Sequence, residues 1–206
     1  MRLYTLFIIA FLCSHSTFAQ TDWKLKKSED GIDVYVRNVP DTDLLEFKGV
    51  TILDCNTETV FNVFRDFNSW PSWSYKLATV DVLKKESSVE FFVYYEVEMP
   101  WPMENRDMIN HLRMTKNKLT GEGRIIMESI ADYIPEKEDK IRLKDGKGFY
   151  QLNPTEDGKT EITYQYFTNP EGVPAWVVNL FITDSPFATL KGMREEVKKV
   201  KYVAAP

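Results

Sequence analysis

Apolar positions recur along this chain with two different periods, and the change between them divides the sequence. From residue 23 to residue 168, apolar and polar side chains alternate in short runs, the period of β-strands with one buried face. The clearest run places these side chains on one face: Val89, Phe91, Val93, Tyr95 and Val97. This first region is therefore predicted to form a sheet.

The alternating runs predict a succession of antiparallel strands interrupted by one short helix. The strands are predicted at residues 23–27, 32–37, 44–53, 78–85, 89–98, 106–116, 122–131, 140–152 and 160–168. Residues 145–148 interrupt the eighth strand as a bulge or turn. Asn56 offers an N-cap for a helix over residues 57–67, which ends before Pro71. Trp70 and Trp73 just after that helix are predicted to plug the core, although an exposed aromatic site is the alternative.

After Thr168 the period becomes helical. Pro174 suits the first position of a helix, where its missing N–H would have no partner. Apolar residues then recur at helical spacing: Trp176, Leu180, Phe187, Leu190, Met193, Val197 and Val200. Pro186 should kink this segment, or Ser185 could cap a second helix that begins at Pro186. We predict one kinked helix from residue 174 to residue 202.

The N-terminal residues predict a cleaved secretory signal. Arg2 precedes an apolar run at residues 3–12, and Thr17-Phe18-Ala19 has the small-x-small pattern of a cleavage site. Residues 1–19 are therefore predicted to be removed, which leaves residues 20–206 as one secreted or periplasmic domain. An uncleaved anchor is the alternative, and a lipoprotein modified at Cys13 is disfavoured because Leu12 is not small.

Charge and residue content exclude several classes of function. The formal net charge is −5, so most of the surface should repel nucleic acid, and no nucleic-acid partner is expected. Only Cys55 and His111 remain of their types beyond the predicted signal, too few for a structural zinc site. A Cys55–His111 nucleophile pair is disfavoured because His111 should face outward. We expect no metal, no cofactor and no catalytic residue.

The order of elements predicts an α+β fold, in which a curved antiparallel sheet wraps around a long C-terminal helix. Such a helix covers the concave face of a curled sheet incompletely, which leaves an internal apolar cavity. Four short motifs agree with this: residues 30–35 (DGIDVY), 46–49 (EFKG), 105–108 (NRDM) and 172–179 (GVPAWVVN). In this order and spacing, from residue 23 to about residue 199, they resemble the START (steroidogenic-acute-regulatory-related lipid transfer) domain of the helix-grip superfamily.

The resemblance implies non-catalytic binding or transfer of one hydrophobic ligand, a lipid or sterol-like compound, in an internal tunnel. The C-terminal helix and the 99–105 loop would gate that tunnel, and the loop offers Met99, Trp101 and Met103 as an apolar lid surface. Such a loop could also touch a membrane transiently. The alternative is a proline-rich loop that packs on its own domain. The partner is thus expected to be a hydrophobic small molecule bound by a monomer.

Two structural motifs accompany the resemblance. Arg106 and Asp107 point to opposite faces of a strand, so one of them should anchor the preceding loop, and a solvated strand end is the alternative. Gly172 should adopt a positive φ just before the terminal helix, whose first turn Pro174 pre-sets.

The predicted cavity departs from part of the family at Leu112, where some members place an arginine for a polar ligand group. A mostly apolar cavity with hydroxyl and amide contacts follows, and its polar members would be Asn110, Tyr95, Tyr164 and Tyr166. The alternative is a filled core with satisfied tyrosine hydroxyls. The predicted lining residues are Val93, Tyr95, Met108, Asn110, Leu112, Met114, Tyr164, Tyr166, Leu180 and Phe187.

One enzymatic alternative stays open. A cyclase or hydrolase of the same superfamily would act on an apolar substrate in the tunnel, and it would need an inward general acid or base. The predicted inner face offers only tyrosines and Asn110 for that role. We therefore predict that the protein is not an enzyme.

Overall fold

A computed structural model describes residues 22–203, so the predicted signal segment lies outside the described residues. Ten strands form one sheet in the order β1-β2-β3-β10-β9-β7-β6-β5-β4, and the short β8 pairs with β6. The strands are β1 Lys24–Glu29, β2 Ile32–Asn38, β3 Leu45–Leu53, β4 Leu77–Lys85, β5 Glu90–Val97, β6 Arg106–Lys116, β7 Gly123–Ser129, β8 Ile141–Arg142, β9 Lys147–Pro154 and β10 Thr160–Phe167. The helices are α1 Thr57–Arg65, α2 Trp70–Trp73, α3 Ala175–Leu180, α4 Asp184–Glu196 and α5 Val200–Val203.

All neighbouring strands are antiparallel except β8, which runs parallel to β6. The first hairpin turns at Asp30-Gly31, where both residues have positive φ, the conformation that matches the twist of the flanking strands. β3 then pairs with β10 from the other end of the chain. The α+β prediction is confirmed, with a large antiparallel sheet and a C-terminal helix.

Helix α1 forms as predicted, and it closes one end of the core together with α2. The Asn56 side chain accepts a hydrogen bond from the Thr59 backbone N–H at 2.9 Å, which caps the helix. Trp70 and Trp73 are buried and make edge-on contacts with Phe64. They plug the core, and an exposed aromatic site is excluded at these two residues.

The C-terminal segment differs from the single kinked helix that its periodicity predicts. α3 ends at Leu180, and α4 begins at Asp184, which places Pro186 in the first turn of a new helix. Proline is tolerated there because first-turn N–H groups have no intrahelical acceptor. The helix therefore restarts instead of bending, and it begins before Ser185. Helix α3 begins at Ala175, so Pro174 is its N-cap residue and not, as was predicted, its first helical residue. Gly172 has the expected positive φ of 67°.

Helix α4 is the element that covers the inner face of the sheet. Its residues Leu190 and Met193 are fully buried beneath the helix, on the side that faces the sheet. Gly49 on β3 makes the close approach feasible, because an added Cβ would lie 2.8 Å from Leu190 Cδ1. On its other side α4 meets α2 at Gly192, where an added Cβ would lie 2.4 Å from the Trp73 carbonyl oxygen.

Candidate interior lipid site

The interior of the sheet is lined by alternating residues of β5, β6, β7, β9 and β10. The register pairs Val93 with Asn110 and Tyr95 with Met108, so these four side chains share one face. The predicted β6 members are all buried on this wall: Met108, Asn110, Leu112 and Met114. Val93 is also fully buried. The strand period thus placed these residues correctly, while their contact with a ligand stays a prediction.

The predicted tyrosines lie on the same wall. Tyr166 is buried, whereas Tyr95 and Tyr164 pack against the core but keep part of their surface accessible. Burial nevertheless raises the pKa of Tyr95 and of Tyr164 well above the ordinary tyrosine value. Both side chains therefore belong to the core, with part of their surface not covered by other protein atoms.

A fourth tyrosine on this wall was missed by the sequence reasoning. The Tyr150 ring stacks on Tyr164 with centroids 4.2 Å apart, and it also contacts Phe64 of α1. The alternation of Tyr150 and Leu152 along β9 was the available signal, but the glycines at 146 and 148 obscured it. A tyrosine hydroxyl is neutral near pH 7 at its ordinary pKa of about 10, and burial raises the pKa of all four further.

Two tyrosine hydroxyls meet at one sulfur atom, and an asparagine amide joins one of them. The Tyr166 hydroxyl donates to Met108 Sδ at 2.9 Å, and the Tyr95 hydroxyl points to the same sulfur at 3.3 Å. The Asn110 amide donates to the Tyr95 hydroxyl, while Asn110 Oδ1 is buried without a hydrogen-bond partner. We call Tyr95, Met108, Asn110 and Tyr166 the interior polar cluster.

Two residues of the predicted lining lie elsewhere. The prediction is wrong for Leu180, which is 67% exposed, because α3 ends there before α4 begins. Phe187 packs partly buried against the core, and Lys27 Nζ lies 3.6 Å from its ring centroid. Phe187 therefore lies at the rim, beside β1.

The predicted lid loop connects β5 and β6. Met99 and Met103 are half-buried, and Trp101 is 92% exposed. Asn105 holds the base of the loop, since its Oδ1 accepts from the Met99 N–H at 3.0 Å and its Nδ2 donates to Glu96 at 2.8 Å. The exposure of Trp101 contradicts the alternative in which the whole loop packs on its own domain.

Arg106 is the residue that anchors neighbouring segments. Its guanidinium is buried and donates to the backbone carbonyl oxygens of Glu104, Pro170 and Glu171. It thereby joins the base of the 99–105 loop to the segment that leads into α3. Burial without a carboxylate partner lowers the pKa of Arg106. The prediction that one of the Arg-Asp pair anchors the loop is confirmed.

Asp107 has a partner that the sequence did not reveal. Arg142 Nε and Nη2 donate to the two carboxylate oxygens at 2.9 and 3.0 Å, and both side chains are fully buried. Arg142 also donates to the carbonyl oxygens of Ala131, Ile134 and Pro135. The pair pins the 131–142 segment to the outer face of the sheet, so the alternative of a solvated strand end is wrong.

The remaining buried charges within the described residues are also paired away from the interior wall. Glu46 accepts from Arg37 and Gln165 on the outer face of β3, at 2.7 Å each. Glu196 accepts from Ser72 and Tyr202, both at 3.0 Å. Together with the Arg106 and Asp107 contacts, this leaves a neutral interior.

The two residues considered for nucleophilic chemistry do not form a site. Burial raises the pKa of the Cys55 thiol to about 12, so it stays protonated. His111 lies on the outer face as predicted, stacked on Phe92 and 2.6 Å from Glu90. Between residues 22 and 203 no three His, Cys, Asp or Glu side chains are grouped to hold a metal ion. In the same range, no helix has the length and apolarity needed to cross a bilayer.

Comparison with known proteins places this geometry in a family. A sequence profile described as START domain matches residues 12–202. An uncharacterized Pseudomonas aeruginosa protein is 36% identical over 181 residues, covering 86% of this chain and 88% of the relative. Phosphatidylcholine transfer protein of Bos taurus is 32% identical over 166 residues, covering 76% and 75%. A crystal structure of a STAR-related lipid transfer protein from Xanthomonas axonopodis superposes with a TM-score of 0.80 at 34% identity, covering 86% and 99%.

Proposed function

The chain belongs to the START domain family, and on that premise we propose that it binds or transfers one hydrophobic molecule, a lipid or sterol-like compound, in its interior. The observation that carries the proposal is the interior wall, on which buried apolar side chains of β5 and β6 surround the uncharged interior polar cluster. Tyr95 and Tyr164 on this wall pack against the core and keep part of their surface accessible, which suits a wall that faces an apolar ligand. Burial of an apolar ligand there would drive binding by roughly 25 cal/mol per Å², before the costs of association.

Access to the interior is proposed to depend on α3 and the 99–105 loop. Arg106 links the bases of both segments, so a displacement of one would be felt by the other. α3 is fastened to the sheet chiefly through Asn179, whose side chain bonds to the Leu45 N–H at 3.1 Å and the Asp43 carbonyl at 2.8 Å. A segment that is attached by few such contacts can open locally, as a gate must.

Transient membrane contact is proposed at the same end of the molecule. Large apolar side chains are exposed at Trp101 on the loop, at Trp176 and Leu180 on α3, and at Phe181 just after α3. Aromatic side chains of this kind favour the boundary between water and lipid. The mature protein is proposed to meet this membrane as a secreted or periplasmic monomer, after cleavage behind Ala19.

A carrier role is favoured over the cyclase or hydrolase alternative. The polar groups of the interior wall are tyrosine hydroxyls with raised pKa values and one amide. A general base needs a pKa near the working pH, and these groups stay protonated there. We therefore propose that bound ligand is released chemically unchanged.

Native mass spectrometry of the purified mature protein, followed by organic extraction, tests the proposal. A discrete adduct that is released as an intact apolar compound is the expected result. A protein that carries no adduct and binds no member of a fluorescent lipid and sterol panel would refute it. Turnover of a bound compound that is lost on Tyr95→Phe or Tyr164→Phe would support the enzyme instead.

A further inference from the structure

The interior polar cluster breaks an otherwise apolar wall at one place. Tyr166 reaches it from β10 by crossing over β9, which two glycines permit. A Cβ on Gly148 would lie 2.3 Å from Tyr166 Cδ2, and one on Gly146 would lie 2.4 Å from its hydroxyl oxygen. The sequence Asp145-Gly146-Lys147-Gly148 therefore opens the space that brings the Tyr166 hydroxyl to Met108.

The hydrogen bonding within this cluster is incomplete. Both tyrosine hydroxyls are directed at one thioether sulfur, which is a weak acceptor. Asn110 is almost fully buried, and its Oδ1 has no partner. A ligand hydroxyl can donate a hydrogen bond to the unpaired Asn110 Oδ1.

The surrounding charges oppose an ionic headgroup. The buried guanidinium of Arg106 is used by three backbone carbonyls, and that of Arg142 is used by Asp107. A phosphodiester placed at the interior polar cluster would thus be desolvated without a cationic side chain to pair with it, which is strongly unfavourable. A neutral alcohol carries no such penalty.

We propose that Asn110, Tyr95 and Tyr166 form a specificity site for the hydroxyl group of a neutral lipid, such as a sterol or a diacylglycerol, and that the site rejects phosphatidylcholine. This inference rests on the proposed function and narrows its ligand class. It also separates this chain from the relative whose name specifies phosphatidylcholine transfer.

Native mass spectrometry titration tests the site with four probes: cholesterol, cholesteryl methyl ether, dioleoylglycerol and dioleoylphosphatidylcholine. We expect at least one alcohol to bind, and the two alcohols distinguish a sterol source from an acylglycerol source. Asn110→Leu should weaken binding of that alcohol about tenfold, the effect of about one hydrogen bond. Tyr166→Phe is the second variant if Asn110→Leu does not fold, and Tyr94→Phe, buried on the opposite face of β5, is the matched control that should bind like the parent.

The outcomes separate the two proposals. If phosphatidylcholine binds at least as tightly as both alcohols, the specificity site is refuted while the carrier function stands. Equal weakening of cholesterol and its methyl ether by Asn110→Leu also refutes the site, because the loss would then be one of packing. If none of the four probes binds, the specificity site is refuted, and the carrier function is then decided by the adduct carried by the purified protein and by the fluorescent lipid and sterol panel.

Discussion

Replacement of Arg142 by methionine should cost more stability than any surface charge change in this protein. The substitution keeps most of the side-chain volume but leaves the Asp107 carboxylate buried without a counter-charge. Removal of one partner from a buried pair costs about 3–5 kcal/mol. The carbonyls of Ala131, Ile134 and Pro135 also lose their donor, so the upper part of that range is expected.

The measurement is equilibrium urea unfolding with linear extrapolation. Arg113→Ala is the matched control, because Arg113 pairs with Glu128 on the exposed surface of the same sheet, where loss of a pair costs about 0–1 kcal/mol. The double variant Asp107→Leu with Arg142→Met should recover part of the loss, since no unpaired charge remains. If Arg142→Met were no more destabilising than Arg113→Ala, the pair would not hold the 131–142 segment to the sheet.

Three further outcomes are expected. Gly49→Val should destabilise the fold by about 1–3 kcal/mol, because the valine side chain would collide with Leu190. The melting temperature should fall accordingly, and this fall should be smaller when Gly49→Val is made in a Leu190→Ala background. Cys55 should react with a disulfide reagent at pH 8 far more slowly in the folded protein than in urea, since its pKa is about 12, and equal rates would contradict its burial. Hydrogen bonds from Lys116 and Arg65 hold the pKa of Glu58 below its ordinary value of 4.5, so the stabilisation from Glu58 is present above that pH and is lost as the pH falls through the folded-state pKa. The difference between the urea midpoints at pH 6 and at pH 3.5 should therefore be smaller in Glu58→Gln than in the parent protein. An unchanged difference would refute this role.

The strand period was sufficient to predict the part of the interior wall that β5 and β6 form. Val93, Leu112 and Met114 follow from alternation alone, because a strand sends every second side chain to the same face. Asn110 was identified for the same reason, as the polar member of an apolar face.

The sequence could not predict features that depend on contacts between distant segments. Arg142 lies in a two-residue strand, and nothing local marks it as the partner of Asp107. The break after Leu180 was missed because Pro186 is compatible with a kink and with a restart. Packing of α4 into the sheet decides between them, and helical periodicity carries no information about that packing.

The pairing of β3 with β10 has a kinetic consequence. It joins Leu53 to Thr160 across most of the domain, and β9 and β7 continue the sheet from β10. Closing so long a loop is entropically costly, so folding should be slow for a domain of this size. Two groups of strands that pair in chain order, β1 to β3 and β4 to β7, can form early from local contacts. The interior wall, which needs both groups of strands and α4, is then the last part of the molecule to be assembled.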